Sequence, residues 1–118
     1  MLRQRRGGQV LATALNINLR GTFFGGREAA LRMQGQGVIV NLASTNSFNT
    51  GVSAIHYVAS KHGVVGVTKS LAVEWGPKGI RTCAIVPGPF PTEGAWSRLM
   101  PKERGSSEDM LKAIPARR

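Results

Sequence analysis

Two short apolar runs with many β-branched residues constrain this chain most: GVIVNLA at Gly37 to Ala43 and IRTCAIV at Ile80 to Val86. Each is bounded by glycine and is short for a helix, so both are expected to be strands buried on both faces, as in a parallel sheet. Between them, Ile55, Val58, Ala59, Val64, Val65 and Val67 mix i+3 and i+4 spacings, which predicts a helix over Ala54 to Trp75. Gly76 and Pro77 end it. Strand, helix, strand with buried β-branched strands implies a right-handed parallel crossover. The fold class expected is therefore α/β, part of a doubly wound Rossmann-type sheet.

Upstream, Val10, Leu11, Ala14, Leu15, Leu19, Phe23, Ala30 and Leu31 predict one long helix over Val10 to Met33. Gly21, Gly25 and Gly26 each weaken it by about 1 kcal/mol relative to alanine, so they are expected to permit close packing, as are Gly63 and Gly66. Ser44 to Ser53 and Pro87 to Pro91 read as loops. Short helices are expected over Ala95 to Leu99 and Glu108 to Ile114. Residues 1–9 read as a disordered basic start, and 10–118 as one domain.

Composition narrows the function classes. Apolar residues make up 42%, which fits a globular chain. No run of about eighteen apolar residues exists, so no membrane span is expected. The basic start lacks a following apolar segment and does not read as a signal peptide. Cys83 is the only cysteine, so no internal disulfide forms and a reducing cytoplasm is the simplest setting. The net charge is +10, a balance that attracts nucleic acid. No recognition motif accompanies it and aromatics are only 6%, so the charge reads as a solvated surface. His56 and His62 have no metal-ligand company, and no metal is expected.

Chemistry concentrates at one rim. Ligands of doubly wound folds bind outside the carboxyl ends of the strands. Ser44 follows one strand and Pro87 to Thr92 the other. Tyr57 and Lys61 stand four apart on the helix and share a face. A free phenol titrates near pH 10, and an ammonium beside it favours the phenolate. Ser44 can hydrogen-bond the same substrate oxygen. A Y-x-x-x-K pair alone is common on solvated helix faces, so its meaning comes from its company.

That company is specific. S-x12-Y-x3-K, with GVIVNLAS before it and PGPFPT after it, resembles the core of the short-chain dehydrogenases/reductases, and the resemblance runs from about Leu11 to Arg117. It implies that Tyr57 is the general acid/base for hydride transfer between a nicotinamide and a carbonyl or alcohol. Lys61 would lower the phenol's pKa and hold the nicotinamide ribose hydroxyls, and Ser44 would orient the substrate oxygen. Asn18, in LNINLRGTFF, matches the asparagine that binds a water in the proton relay. Pro87, Gly88 and Thr92 match the loop that lines the nicotinamide. The cofactor implied is NADP or NAD, the substrate a small carbonyl or alcohol, and the assembly a homo-oligomer through the two long helices.

Several features depart from the family pattern. LAVEWGPKGIR and PGPFPTEGAWSRLMP look similar to the 2,4-dienoyl-CoA reductase branch, which would bring acyl-CoA-related substrates within range. That branch places its proton-donating tyrosine two positions after the serine/threonine site and a serine at the usual tyrosine position. Here those positions are Asn46 and Tyr57, which favours ordinary ketone and alcohol chemistry. Cys83 stands where the family often has a structural asparagine. No T-G-x-x-x-G-x-G or N-N-A-G segment occurs, and the chain stops at IPARR. It therefore reads as the central, catalytic portion of a longer protein, lacking strands one to four and seven and weak or inactive alone. The alternative is a non-catalytic remnant that folds by pairing with another subunit.

Overall fold

The computed structural model describes residues 7–50, 55–90, 92, 109, 112 and 115. The chain divides into two compact units, Met1–Gly88 and Pro89–Arg118. The first holds α1 (Gly7–Ala14), a π-helical turn (Leu15–Arg20), α2 (Gly21–Arg32), β1 (Gly37–Leu42), a 3₁₀ turn (Thr45–Ser47), α3 (Ile55–Trp75), a second 3₁₀ turn (Gly76–Lys78) and β2 (Ile80–Ile85). In the second, Asp109 and Lys112 are helical and form an i,i+3 ion pair at 3.7 Å. They fall within the helix expected over Glu108 to Ile114, whereas Ala95 to Leu99 lies outside the described residues.

The expected parallel pairing is present. β1 and β2 pair in parallel, from Gly37 opposite Ile80 to Leu42 opposite Ile85. Ala43 N–H extends the ladder to Ile85 O at 2.9 Å. Ile39, Ile80 and Ala30 form a buried cluster, with Ala29, Met33 and Trp75 packed against it. The strands are not buried on both faces, as the apolar runs predict. Side chains alternate across a strand, and Ile39, Asn41 and Ile80 turn inward while Val38, Val40, Leu42 and Ile85 are exposed. α2 and α3 pack against the strands, and their cover reaches only one face.

The single helix expected over Val10 to Met33 is broken by the π turn. Gly21 N–H reaches back five residues to Asn16 O. One inserted residue rotates the downstream helix by about 100°. The result brings two consecutive side chains to α3: Asn18 bonds Ser60, and Leu19 lies over Gly63, where a Cβ would sit 2.8 Å from it. α1 also takes in Gly7–Gln9, part of the stretch read as disordered, because each residue added to an existing helix gains a backbone bond. The close packing expected at the helix glycines holds for Gly26, whose Cβ would meet Leu71 at 2.8 Å, and for Gly63; Gly25 and Gly66 face open space.

α3 buries Ser60, Val64, Thr68 and Leu71 along one side. Thr68 Oγ1 donates to Val64 O at 2.7 Å and accepts from Asn41 Nδ2 at 3.0 Å, fastening the carboxyl end of β1 to the helix. Thr68→Val leaves the buried Asn41 amide without this acceptor, which costs about 1–3 kcal/mol. The urea midpoint is expected to fall accordingly and to recover in Thr68→Ser. Equal midpoints for Thr68→Val and the parent would show that this bond adds nothing.

Two left-handed glycines close the base of the sheet. Gly79 (φ +87°) follows α3 and Gly35 (φ +83°) follows α2. A Cβ on Gly79 would collide with the carbonyl oxygen of Gly35. The Gly79 N–H bonds Gly76 O at 2.9 Å, closing the second 3₁₀ turn just before β2.

Candidate active site

The carboxyl end of β1 and the first turns of α3 meet at one rim. Lys61 Nζ lies 5.8 Å from the Tyr57 ring centroid, as the four-residue spacing requires. The ammonium is anchored, donating to Leu42 O at 2.8 Å. Leu42 is the last residue of β1, and Ser44 stands two residues beyond it. The lysine thus ties the tyrosine's helix to the exit of the strand that delivers the serine.

Ser44 is buried and caps the 3₁₀ turn Thr45–Ser47. Its Oγ accepts from Asn46 N–H at 3.1 Å. A hydroxyl has one donor and two acceptor sites, and among the described residues nothing accepts the Ser44 proton. Asn18 meets the tyrosine's turn through Ser60. Its Nδ2 donates to Ser60 Oγ at 3.0 Å, and Ser60 Oγ donates to Tyr57 O at 2.7 Å. The π turn that carries Asn18 is a local irregularity often found at functional sites.

The second loop joins the first through its backbone. Thr45 N–H donates to Pro87 O at 3.1 Å, and a Cβ on Gly88 would sit 3.8 Å from Thr45 Cγ2. Pro87 and Gly88 therefore lie beside the turn that begins at Ser44. Thr92 belongs to the second unit. Asn18, Tyr57 and Lys61 are joined through α3 and its bonds, Pro87 is bonded to the turn that begins at Ser44, and Gly88 lies beside that turn.

Residues that motif reading missed hold the group together. Ser60 and Ser47 supply hydroxyl bridges, and Asn41 with Thr68 pins β1 to α3. Ser47 was detectable, since serines three apart at a helix start carry capping-box spacing. Of the two histidines, His62 Nδ1 contacts Val58 O at 2.9 Å, and His56 Nδ1 is buried with no hydrogen-bond partner among the described residues. Among the described residues, no group of three or more His, Cys, Asp or Glu is placed to hold a metal. None of their helices is long and apolar enough to cross a membrane.

Residues 8–118 match the family described as enoyl-(acyl carrier protein) reductase. The chain belongs to the short-chain dehydrogenases/reductases. It is 42% identical over 100 residues to a Bacillus subtilis protein named as a 2,4-dienoyl-CoA reductase, covering 81% of this chain and 39% of that one. It is also 42% identical over 106 residues to 2-dehydro-3-deoxy-D-gluconate 5-dehydrogenase of B. subtilis, covering 88% and 41%. The gluconate 5-dehydrogenase of Burkholderia cenocepacia, solved with NADP and tartrate, superposes with a TM-score of 0.81 at 28% identity, over 92% of this chain and 42% of that one. This short-chain dehydrogenase/reductase chain spans about two-fifths of the length of these relatives. Its parallel strands and crossover helix are part of the family's Rossmann-type fold.

Proposed function

We propose that this chain carries the catalytic face of an NAD(P)-dependent oxidoreductase acting on a small carbonyl or alcohol, with Tyr57 as general acid/base. The observation that carries this reading is the anchored ammonium: Lys61 sits beside the Tyr57 ring while bonded to Leu42 O at the strand exit. In reduction, Tyr57 gives its phenolic proton to the carbonyl oxygen, and in oxidation it takes the alcohol proton back. A bound nicotinamide supplies or accepts the hydride. An ammonium has three donors; with one on Leu42 O, two remain for the phenol oxygen and a ribose hydroxyl. Ser44 donates its free proton to the substrate oxygen. Asn18 steadies the tyrosine's turn through Ser60 and borders the water path of the proton relay. Pro87 and Gly88 line the nicotinamide, and Thr92 is assigned to the same loop on its sequence motif alone.

The ligand set of Lys61, Ser44 and the Pro87–Gly88 backbone fits the nicotinamide end of NADP or NAD. The glycine motif that cradles the pyrophosphate is not in this sequence. Asn46 and Tyr57 favour ketone and alcohol substrates over dienoyl thioesters. The alternative of a non-catalytic pairing subunit draws no support from the three relatives, each a dehydrogenase or reductase.

Two further features belong to the proposal. A homo-oligomer forms through α1–α2 and α3, whose outer sides expose Ile17, Phe23, Phe24, Leu31, Ile55 and Val73. Ile55, Val58, Ala59 and His62, one face of α3, also line an open depression of about 380 Å³ with Thr50. The single cysteine fits a reducing cytoplasm.

The test follows the near-ultraviolet absorbance of reduced nicotinamide with the purified chain, using NADPH and NADH with ketones and the oxidised forms with alcohols. Turnover that requires the chain is expected to be weak, since the glycine motif that cradles the pyrophosphate is not in this sequence. No turnover with either cofactor across keto sugars, cyclic diketones and their alcohols, by this chain or by the same residues set into a relative that supplies the glycine motif, would refute the proposal. Light scattering reports the assembly, and a monomer would remove the oligomer.

A further inference from the structure

Ser47 is buried, with 3% of its surface exposed, and the hydride-transfer mechanism makes no use of it. Its hydroxyl makes two bonds. It accepts from Ser44 N–H at 3.1 Å and donates to Lys61 O at 2.7 Å. Lys61 therefore grips the strand exit twice. Its ammonium holds Leu42 O, and its main-chain carbonyl holds Ser47. Ser44 lies between these two points, with its amide on Ser47 Oγ and its own Oγ on Asn46 N–H.

We infer that Ser47 is a positioning residue, a clasp that fixes Ser44 against the lysine's own backbone and so sets the serine hydroxyl relative to Tyr57 and Lys61. An ordinary cap satisfies the turn it begins and nothing more. Ser47 instead sends its proton out of the turn, to a helix fourteen residues onward. The Lys61 carbonyl lies within α3, on the residue that carries the ammonium. A shift of the turn would move Ser44 without moving Tyr57. The role in catalysis rests on the proposed hydride transfer; the clasp itself does not.

The test compares Ser47→Ala and Ser47→Thr in the full chain by two measurements. The first is amide hydrogen exchange, residue by residue. Ser47→Ala removes the acceptor of the buried Ser44 amide, so exchange there is expected to speed up about tenfold, the worth of one hydrogen bond. Amides of β1 and β2 should keep their rates. The second is steady-state kinetics. kcat is expected to fall about tenfold with KM unchanged, because a misplaced Ser44 weakens contact with the oxygen as charge develops on it. Ser47→Thr keeps the hydroxyl and should restore both readouts. Unchanged exchange at Ser44, or uniform acceleration through both strands, would overturn the clasp. Selective acceleration with unchanged kcat would overturn its positioning role. A parent chain without turnover counts against hydride transfer, and the exchange comparison then decides the clasp alone.

Discussion

Tyr57→Phe is expected to keep the fold and lose turnover by about a hundred- to ten-thousand-fold, the usual contribution of a positioned general acid/base. The substitution removes one oxygen. Among the described residues no hydrogen bond engages the Tyr57 hydroxyl, and the contact of the ring with the Lys61 ammonium survives in phenylalanine. The turn's other fastening uses the Tyr57 main-chain carbonyl, which Ser60 reaches at 2.7 Å. Melting temperature and circular dichroism should match the parent while kcat collapses. If Tyr57→Phe turned over within about fivefold of the parent, the proton would come from elsewhere and the role assigned to Tyr57 would be wrong; a true acid/base residue gives far more.

Gly79→Ala is expected to be the most damaging single-methyl change in the first unit. An alanine at φ +87° bears the left-handed penalty of roughly 1–2 kcal/mol. Its Cβ also runs into the Gly35 carbonyl, backbone on a turn that is itself left-handed. Relief needs a shift of the α2–β1 or α3–β2 connection, of the kind that costs about 1–3 kcal/mol when a packed site is overfilled. Together these reach a large part of the 5–15 kcal/mol typical of a whole domain. The measurement is the denaturant midpoint, with Gly25→Ala as comparison, since a Cβ there meets open space in a helix. Gly25→Ala should be neutral or stabilising by up to about 1 kcal/mol. Similar midpoints for the two variants would show that the two turns do not press on each other.

The strands and α3 were legible because hydrophobic spacing reports directly on which residues face a core. Tyr57 and Lys61 were legible for a similar reason, since helix geometry alone brings i and i+4 together. Spacing does not encode which contacts lie on the far side of an element. Val38, Val40 and Leu42 are as apolar as buried strand residues, yet their face is exposed. The π turn left no trace either: its residues suit a helix, and only the need to present both Asn18 and Leu19 to α3 distinguishes it. Ser47 lay between these cases. Its capping spacing was visible, but its bond to Lys61 depends on two segments meeting in space. The contact between Gly79 and Gly35 is tertiary, so spacing along the chain does not report it.

The anchoring of Lys61 on Leu42 O bears on how readily the rim can engage a ligand. A free lysine stem samples many rotamers, and immobilising it costs up to roughly 2 kcal/mol of entropy. Here the restriction is imposed as the chain folds. Under the proposed function, a ribose arriving at this ammonium would meet a preorganised donor, and the ordering cost would be absent from the association step.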